Sequence, residues 1–412
     1  MSGKRRAAAI ATPAVHVAAS ARNAGGPGAI ARSASVASPR AATSTSGLPL
    51  YWKRHTTLAV PSSMSSWFSF LASRGARLDA SGVADFGDRA AELAAARDHT
   101  VLVDLSHNAL LSVTGDDAAA FLHAQFTNDV QSLPVGAAQW NGWCSPKGRL
   151  LATLLLLRRA DGFLLMLPAE IAGAFAKRLG MFVLRSKVKI ADVGESTVRL
   201  GFAGKTAGVL VARHFGFTPD PLRSVQKDAA TCVALDGERF VILVPMASAP
   251  TLWETLAQGA TPAGPDAWGW SLIHAGIPVI VGATQEAFVP QMANFELVGG
   301  VSFKKGCYPG QEIVARTQYR GSLKRRMAIA HLAGEARPNP GESVYSAAFG
   351  DQASGTVANV APAPGGGYDA LVVAQLESLG EGDLRLGSLE GPRLEVRARP
   401  YERELPEPLG RA

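Results

Sequence analysis

The first 63 of the 412 residues contain no aspartate or glutamate, although they hold eight of the 41 lysines and arginines. The remainder carries 33 basic residues against all 34 acidic ones, so the net charge of +7 belongs to the leading segment. Global basicity therefore gives no warrant for nucleic-acid binding by the body of the chain. Cysteine is scarce as well. Cys144, Cys232 and Cys307 are too few and too scattered for a disulfide framework, and no Cys-x-x-Cys pair offers a self-contained zinc or cluster site. A reducing compartment fits, and no tightly bound metal is expected. Long apolar runs are also missing. The longest, Leu150 to Leu157, ends at Arg158 and Arg159, far short of the roughly 20 residues that span a bilayer, and reads as a buried strand. With 47% apolar and 18% charged residues the composition excludes a mainly disordered, fibrous or coiled-coil protein. The length asks for two or three cores.

Residues 1–63 are rich in Ala, Ser, Arg and Gly, lack apolar periodicity and read as a disordered tail. Patterned sequence begins at Met64, so either translation starts there or the tail is dispensable, and the expected location is cytoplasmic. The same composition suits a mitochondrial transit peptide, which makes the mitochondrial matrix the alternative. From 64 onward strand and helix signals alternate. Val101 to Leu105 and Leu110 to Val113 read as strands, and Asp116 and Asp117 then cap a helix from Ala118 to Phe126. Leu150 to Leu157 and Phe163 to Leu167 form a hairpin around Asp161-Gly162, followed by Pro168 and a helix with Ile171, Phe175 and Leu179 on one face. A similar unit recurs about 75 residues later, from Cys232 through Asp236-Gly237 and Pro245 to a helix holding Leu252, Trp253 and Leu256. The recurrence predicts an α+β chain with two related halves, 64–192 and 193–326. Short strands from Met327 on, separated by Pro/Gly turns, predict a C-terminal β-barrel over 327–400. A polar tail, 401–412, completes the division.

The stretch richest in chemistry is Lys304-Lys305-Gly306-Cys307-Tyr308-Pro309-Gly310-Gln311-Glu312. Gly306, Pro309 and Gly310 specify a tight loop, and Gln311 and Glu312 open a helix ending at Gly321. Cys307 thus precedes a helix N-terminus, where the dipole favours a thiolate. From 304 to 326 there are seven basic residues and one acid. A buried, inert cysteine beside a solvated basic face is the plainer reading for an arbitrary thiol. Here glycines, lysine pair and helix start converge on one atom.

Lys305-Gly306-Cys307-Tyr308-x-Gly310-Gln311-Glu312 resembles the KGCYxGQE signature of the YgfZ family, relatives of the folate-dependent aminomethyltransferase (T-protein) of the glycine cleavage system. Gly276-Ile277-Pro278, Phe288-Val289-Pro290-Gln291 with Asn294, and Gly299 to Lys304 are similar to the same family, so the resemblance covers roughly residues 64–400. It implies a three-domain ring around a central folate channel ending in a β-barrel, and tetrahydrofolate or a one-carbon derivative as cofactor. It also implies a role in assembly or repair of iron–sulfur clusters in client enzymes, including those that modify tRNA. The motif cysteine, Cys307, is the residue on which that role is thought to rest. Implied partners are folate, iron–sulfur clients and the assembly machinery; no membrane and no direct nucleic-acid contact are expected. Gln291 and Asn294 are implied to line the folate site.

Gln125-Phe126-Thr127-Asn128-Asp129-Val130 resembles the Asn-Asp-Val segment of the aminomethyltransferases, whose aspartate lies by the reactive end of folate. Asp129, with Asn128, would then face the channel; the alternative is that the pair merely ends the helix and starts a turn. Where those enzymes carry an acidic pair, this chain has Cys144-Ser145-Pro146-Lys147-Gly148-Arg149, similar to YgfZ. The exchange favours an anionic ligand at Lys147 and Arg149, such as the folate glutamate tail, over aminomethyl transfer. Trp140, Trp143, Trp268 and Trp270 read as core, and His123 and His274, without ligand-like neighbours in sequence, as structural. Gly201 to Thr206 ends in Gly-Lys-Thr but lacks the spacing of a phosphate loop. The expected function is a folate-binding accessory factor rather than a classical enzyme. The alternatives are a folate-dependent aminomethyl- or methyltransferase and an RNA-binding module on the 304–326 stripe, which has only Tyr308 and Tyr319 for stacking.

Overall fold

The computed structural model describes residues 62–319, 321 and 323–397. Residues 1–61 of the leading segment, Arg320, Ser322 and residues 398–412, which include the tail expected after 400, lie outside the described residues. Helix α1 (Ser62–Ser73) and a hairpin of β1 (Arg77–Asp79) and β2 (Gly82–Asp85) lead into α2 (Arg89–Asp98), where the Asp88 carboxylate accepts from the Ala91 N–H at 3.0 Å. There follow β3 (Thr100–Asp104), β4 (Asn108–Thr114), α3 (Ala118–Gln125), β5 (Ala138–Cys144), β6 (Leu150–Arg159), β7 (Gly162–Pro168), α4 (Ala169–Gly180) and β8 (Lys189–Asp192). Next come β9 (Thr197–Gly204), α5 (Ala207–Phe215), β10 (Ser224–Lys227), β11 (Ala230–Ala234), β12 (Arg239–Pro245), α6 (Ala249–Ala257), β13 (Thr261–Ala263) and α7 (Pro265–His274). A strand-free stretch reaches α8 (Gln311–Tyr319). The last elements are β14 (Arg325–Leu332), β15 (Ser343–Tyr345), β16 (Gly355–Pro362), β17 (Tyr368–Gln375), α9 (Leu376–Glu381), β18 (Leu384–Leu386) and β19 (Arg393–Arg397).

Besides the β1–β2 hairpin, the described residues form two larger sheets and a barrel. The first sheet has the order β5-β6-β7-β4-β8, the second β10-β11-β12-β9-β3-β13, and β14-β17-β16-β15-β18-β19 close on themselves. The halves interleave: β3 precedes every strand of the first sheet yet pairs with β9, Leu102 opposite Phe202. Alternation along the strands sends Leu110, Leu155, Leu157 and Leu164 of the first sheet and Val101, Val233, Val241 and Leu243 of the second into one shared core. The opposite face of the first sheet takes Leu111, Leu154, Leu156 and Leu165 against Phe121 and Leu122 of α3 and Ile171, Phe175 and Leu179 of α4. The opposite face of the second takes Leu102, Phe202, Cys232 and Ile242 against Trp67 of α1, Val211 of α5 and Trp253 of α6. With neighbours on both faces, Leu150 to Leu157 is buried throughout, which explains its unbroken apolar run.

The barrel fills its inside with Ala330, Leu332, Val344, Val372 and Leu384 and turns Met327, Ile329, Leu371 and Val373 onto the shared core. Among the described residues no helix is long and apolar enough to cross a membrane. One expected detail differs. Asp117 stands before α3 but gives it no side-chain cap; its carboxylate instead accepts from the Lys187 N–H at 2.7 Å.

Candidate functional site

The two loops singled out in the sequence touch. After β5 the chain turns through Ser145-Pro146-Lys147-Gly148, and the Gly148 N–H donates to the Ser145 carbonyl at 2.8 Å. Gly148 (φ +68°) and Gly310 (φ +80°) lie against each other: a Cβ on Gly310 would stand 2.6 Å from Gly148 N, and one on Gly148 would stand 2.8 Å from Ile313 Cβ. Both positions need glycine, for conformation and for space. This contact seats the start of α8 on the β5–β6 turn.

The segment after α3 is stitched to the same stretch. Thr127, fully buried, donates its hydroxyl to the Gly300 carbonyl at 2.6 Å and accepts from the Gly142 N–H at 2.7 Å. The Asn128 amide donates to the Gly299 carbonyl at 2.7 Å and to that of Trp140 at 3.0 Å. Lys305 completes the link. Its ammonium is buried, donates to the carbonyls of Phe126 (2.6 Å) and His123 at the C-terminus of α3, and stands 4.9 Å from the centre of the Tyr308 ring. A cation there meets helix carbonyls that lack intrahelical partners. Burial brings Lys305 down to about 8, against the pull of Asp129 and Cys307.

Asp129 accepts from the Ser132 N–H at 3.1 Å and from its hydroxyl at 2.9 Å, and His123 Nδ1 lies 3.1 Å from its Oδ1 without an aligned hydrogen bond. Desolvation pushes its carboxyl up, but the Ser132 bonds and His123 outweigh this and leave it below the ordinary value. Burial and then the Lys305 ammonium lower His123, with Asp129 opposing. Asp129 therefore does start a turn, and its side chain remains 35% exposed beside a histidine and a buried lysine. His123, expected to be structural, belongs to this cluster. Its only sequence signal was its place one turn before Asn128-Asp129 on a helix.

Cys307 is the exposed one of the three thiols. Burial pushes Cys144 up to about 12 and raises Cys232 further. Helix α8 starts at Gln311, where the sequence placed it, four positions after Cys307. Cys307 lies close enough to Lys305 to hold the ammonium up against the effect of burial. Tyr308 is buried, while Gly306 faces His123, whose Nε2 would be 3.5 Å from a Cβ there. Glu312 is exposed on the first turn of α8 and Gln311 half-buried beside it.

The other residues assigned to folate separate into two groups. Lys147 is exposed on its turn. Arg149 instead donates to the carbonyls of Glu286 (3.1 Å) and Ala287 (2.7 Å). Gln291 and Asn294 are buried, their amides donating to the carbonyls of Val314 (2.8 Å) and Met327 (2.9 Å). They hold α8 and the barrel in place. Arg326, at the end of the basic stretch, also turns inward onto Glu296. His274 has a partner distant in sequence: Asp369, which it shares with His331 and Trp270.

A fold of two α+β halves with a closing barrel, carrying this loop pair, defines a class. Residues 64–275 match the GCVT N-terminal domain family. The tRNA-modifying protein YgfZ of Cronobacter sakazakii is 34% identical over 254 residues, which is 61% of this chain and 77% of that protein. The protein of the same name from Enterobacter sp. (strain 638) is 35% identical over 257 residues, 61% and 78% of the two chains. In fold, the chain is similar to glycine cleavage system aminomethyltransferase T from Bartonella henselae, with a TM-score of 0.67 at 19% identity over 81% of this chain and 96% of that one. The chain belongs to the GCVT-domain proteins of the YgfZ family.

Proposed function

We propose that the protein is a folate-binding accessory factor for iron–sulfur cluster assembly or repair in client enzymes, including those that modify tRNA, acting in a reducing, cytoplasmic compartment. The observation that carries this reading is the convergence on Lys305: one buried ammonium ties the Asp129 segment to the loop presenting the exposed thiol. The donor set suits a folate. Asp129 offers a partly exposed carboxylate to the N–H groups of a pterin, and Lys147 offers a free-standing cation to a glutamate tail. When bound, folate would supply one-carbon or reducing chemistry; the chain's own part is to hold it at Asp129 and Lys147 and to keep Cys307 accessible beside it. A single cysteine cannot hold a cluster alone, so any cluster there needs further ligands from a client or a small thiol.

The test is rescue in cells lacking the protein, read as the specific activity of an iron–sulfur enzyme under oxidative stress. Wild type should restore it and Cys307→Ser should not. Equal rescue by both would remove Cys307 from the function. A second reading, one-carbon transfer by an enzyme, rests on the half-open Asp129 carboxylate. It requires turnover of tetrahydrofolate with a one-carbon donor that Asp129→Asn abolishes.

A further inference from the structure

The loop leading from α4 into the edge strand β8 takes no part in the site above. From Lys177 to Lys189 the chain has five basic residues, all exposed, and no acidic one. In its middle Met181, Phe182 and Leu184 are 62%, 44% and 88% exposed. Three large apolar side chains within four residues make an unusual surface cluster, since scattered single ones are the norm. The loop is nevertheless ordered by its own backbone: Met181 N–H donates to Arg178 O (3.2 Å), Val183 N–H to Gly180 O (3.2 Å) and Ser186 N–H to Val183 O (2.8 Å). Val183 packs on the outer core, the Arg178 guanidinium lies 5.4 Å from the centre of the Trp143 ring, and the Lys187 N–H is held by Asp117. Leu184 itself has φ +46°, a left-handed conformation that disfavours leucine. The chain thus holds an apolar side chain outward at a cost in backbone strain. Beside it, Asp117, Phe182, Leu184, Arg185 and Ser186 line an open hollow of about 700 Å³.

We propose that this loop is a docking knob for a partner protein presenting an apolar pocket rimmed by carboxylates. The surplus of cations calls for an acidic rim, and Met, Phe and Arg are the residue types enriched in protein interfaces. A preformed backbone lowers the ordering cost of binding. RNA lacks a stacking platform here, as Phe182 is the one ring in the loop. The chain's own first 63 residues, basic and free of acids, have the wrong sign to cover it.

The experiment places a photo-crosslinking phenylalanine analogue at position 184 of the full chain in cells, with exposed position 376 as control. Adducts are identified by mass spectrometry and each pair is remeasured with purified proteins. We expect a protein adduct specific to position 184, whose purified complex weakens about tenfold or more with Leu184→Asn and with Arg185→Glu plus Lys189→Glu, and weakens as salt rises. Asparagine suits the left-handed backbone, so an unchanged unfolding midpoint certifies the Leu184→Asn fold. The proposal is overturned by the absence of a 184-specific protein adduct, by a complex indifferent to Leu184→Asn, or by adducts with a second copy of this chain alone. Binding of phosphatidylserine vesicles or bulk tRNA that Leu184→Asn abolishes would overturn it too, in favour of those surfaces.

Discussion

Among the described residues, Asp129 and Asp369 each lie within 4 Å of a histidine nitrogen, and their surroundings differ. Asp369, on β17 of the barrel, is 1% exposed and receives His274 Nε2 and His331 Nδ1 at 2.8 Å, Trp270 Nε1 at 2.9 Å and Arg397 Nη1 at 3.4 Å. Desolvation opposes its charge, but these donors bring it down to about 2. Asp129 receives Ser132 twice, has His123 alongside and keeps a third of its side chain open to solvent. The first carboxylate spends its lone pairs on joining α7 to the barrel; the second keeps part of its surface open to solvent. The same residue pair is thus closed off in one place and partly open in the other, and donor count with burial tells them apart.

The largest effect expected is on stability. Asp369→Ala leaves two imidazoles and an indole N–H without their acceptor and should cost about 3–5 kcal/mol in denaturant unfolding. Asp129→Asn, on a partly exposed turn, should cost under about 1 kcal/mol while weakening tetrahydrofolate binding in a calorimetric titration. Equal stability losses would erase the distinction between the two sites. Next in size is Gly310→Ala, which must adopt φ +80° against the Gly148 backbone; about 1–3 kcal/mol of destabilisation should appear as a lower unfolding midpoint.

The acid limb sharpens the comparison. A carboxyl held below its unfolded value near 3.9 contributes stability that is complete above that pH and is lost as pH falls through the folded value. For Asp369 that window runs from about pH 4 down to about 2, so the acid slope of wild-type stability should flatten there in Asp369→Asn. The smallest expected effect is kinetic. Lys305→Gln removes the ammonium that Cys307 acts on and should slow Cys307 alkylation about three- to tenfold at pH 7. The wild-type rate per thiolate should change near pH 8, where Lys305 gives up its proton.

The parts read from sequence were those encoded locally. The Asp161-Gly162 hairpin, the helix carrying Ile171, Phe175 and Leu179, the start of α8 and short strands of the barrel follow from period, turn chemistry and breakers. The exchange of β3 into the second sheet and the short β18 left no such mark, because pairing partners are chosen by the tertiary fold. The loop pair was visible as motifs, yet its contact rests on Gly148 and Gly310 meeting across 162 residues. Gln291 and Asn294 were assigned to the folate site by the family resemblance alone. Here they pair with backbone carbonyls of α8 and β14. His123 and Lys305 acquire their meaning from each other, 182 positions apart.

The account turns on Asp129 and Cys307 belonging to one site. Alkylation kinetics of Cys307, followed by mass spectrometry with and without saturating tetrahydrofolate, test this most directly. A bound folate should change the Cys307 rate severalfold, and Asp129→Asn should cancel the change by lowering occupancy. Tetrahydrofolate that binds at Asp129 and leaves Cys307 alkylation unaltered would show two independent sites and contradict the account.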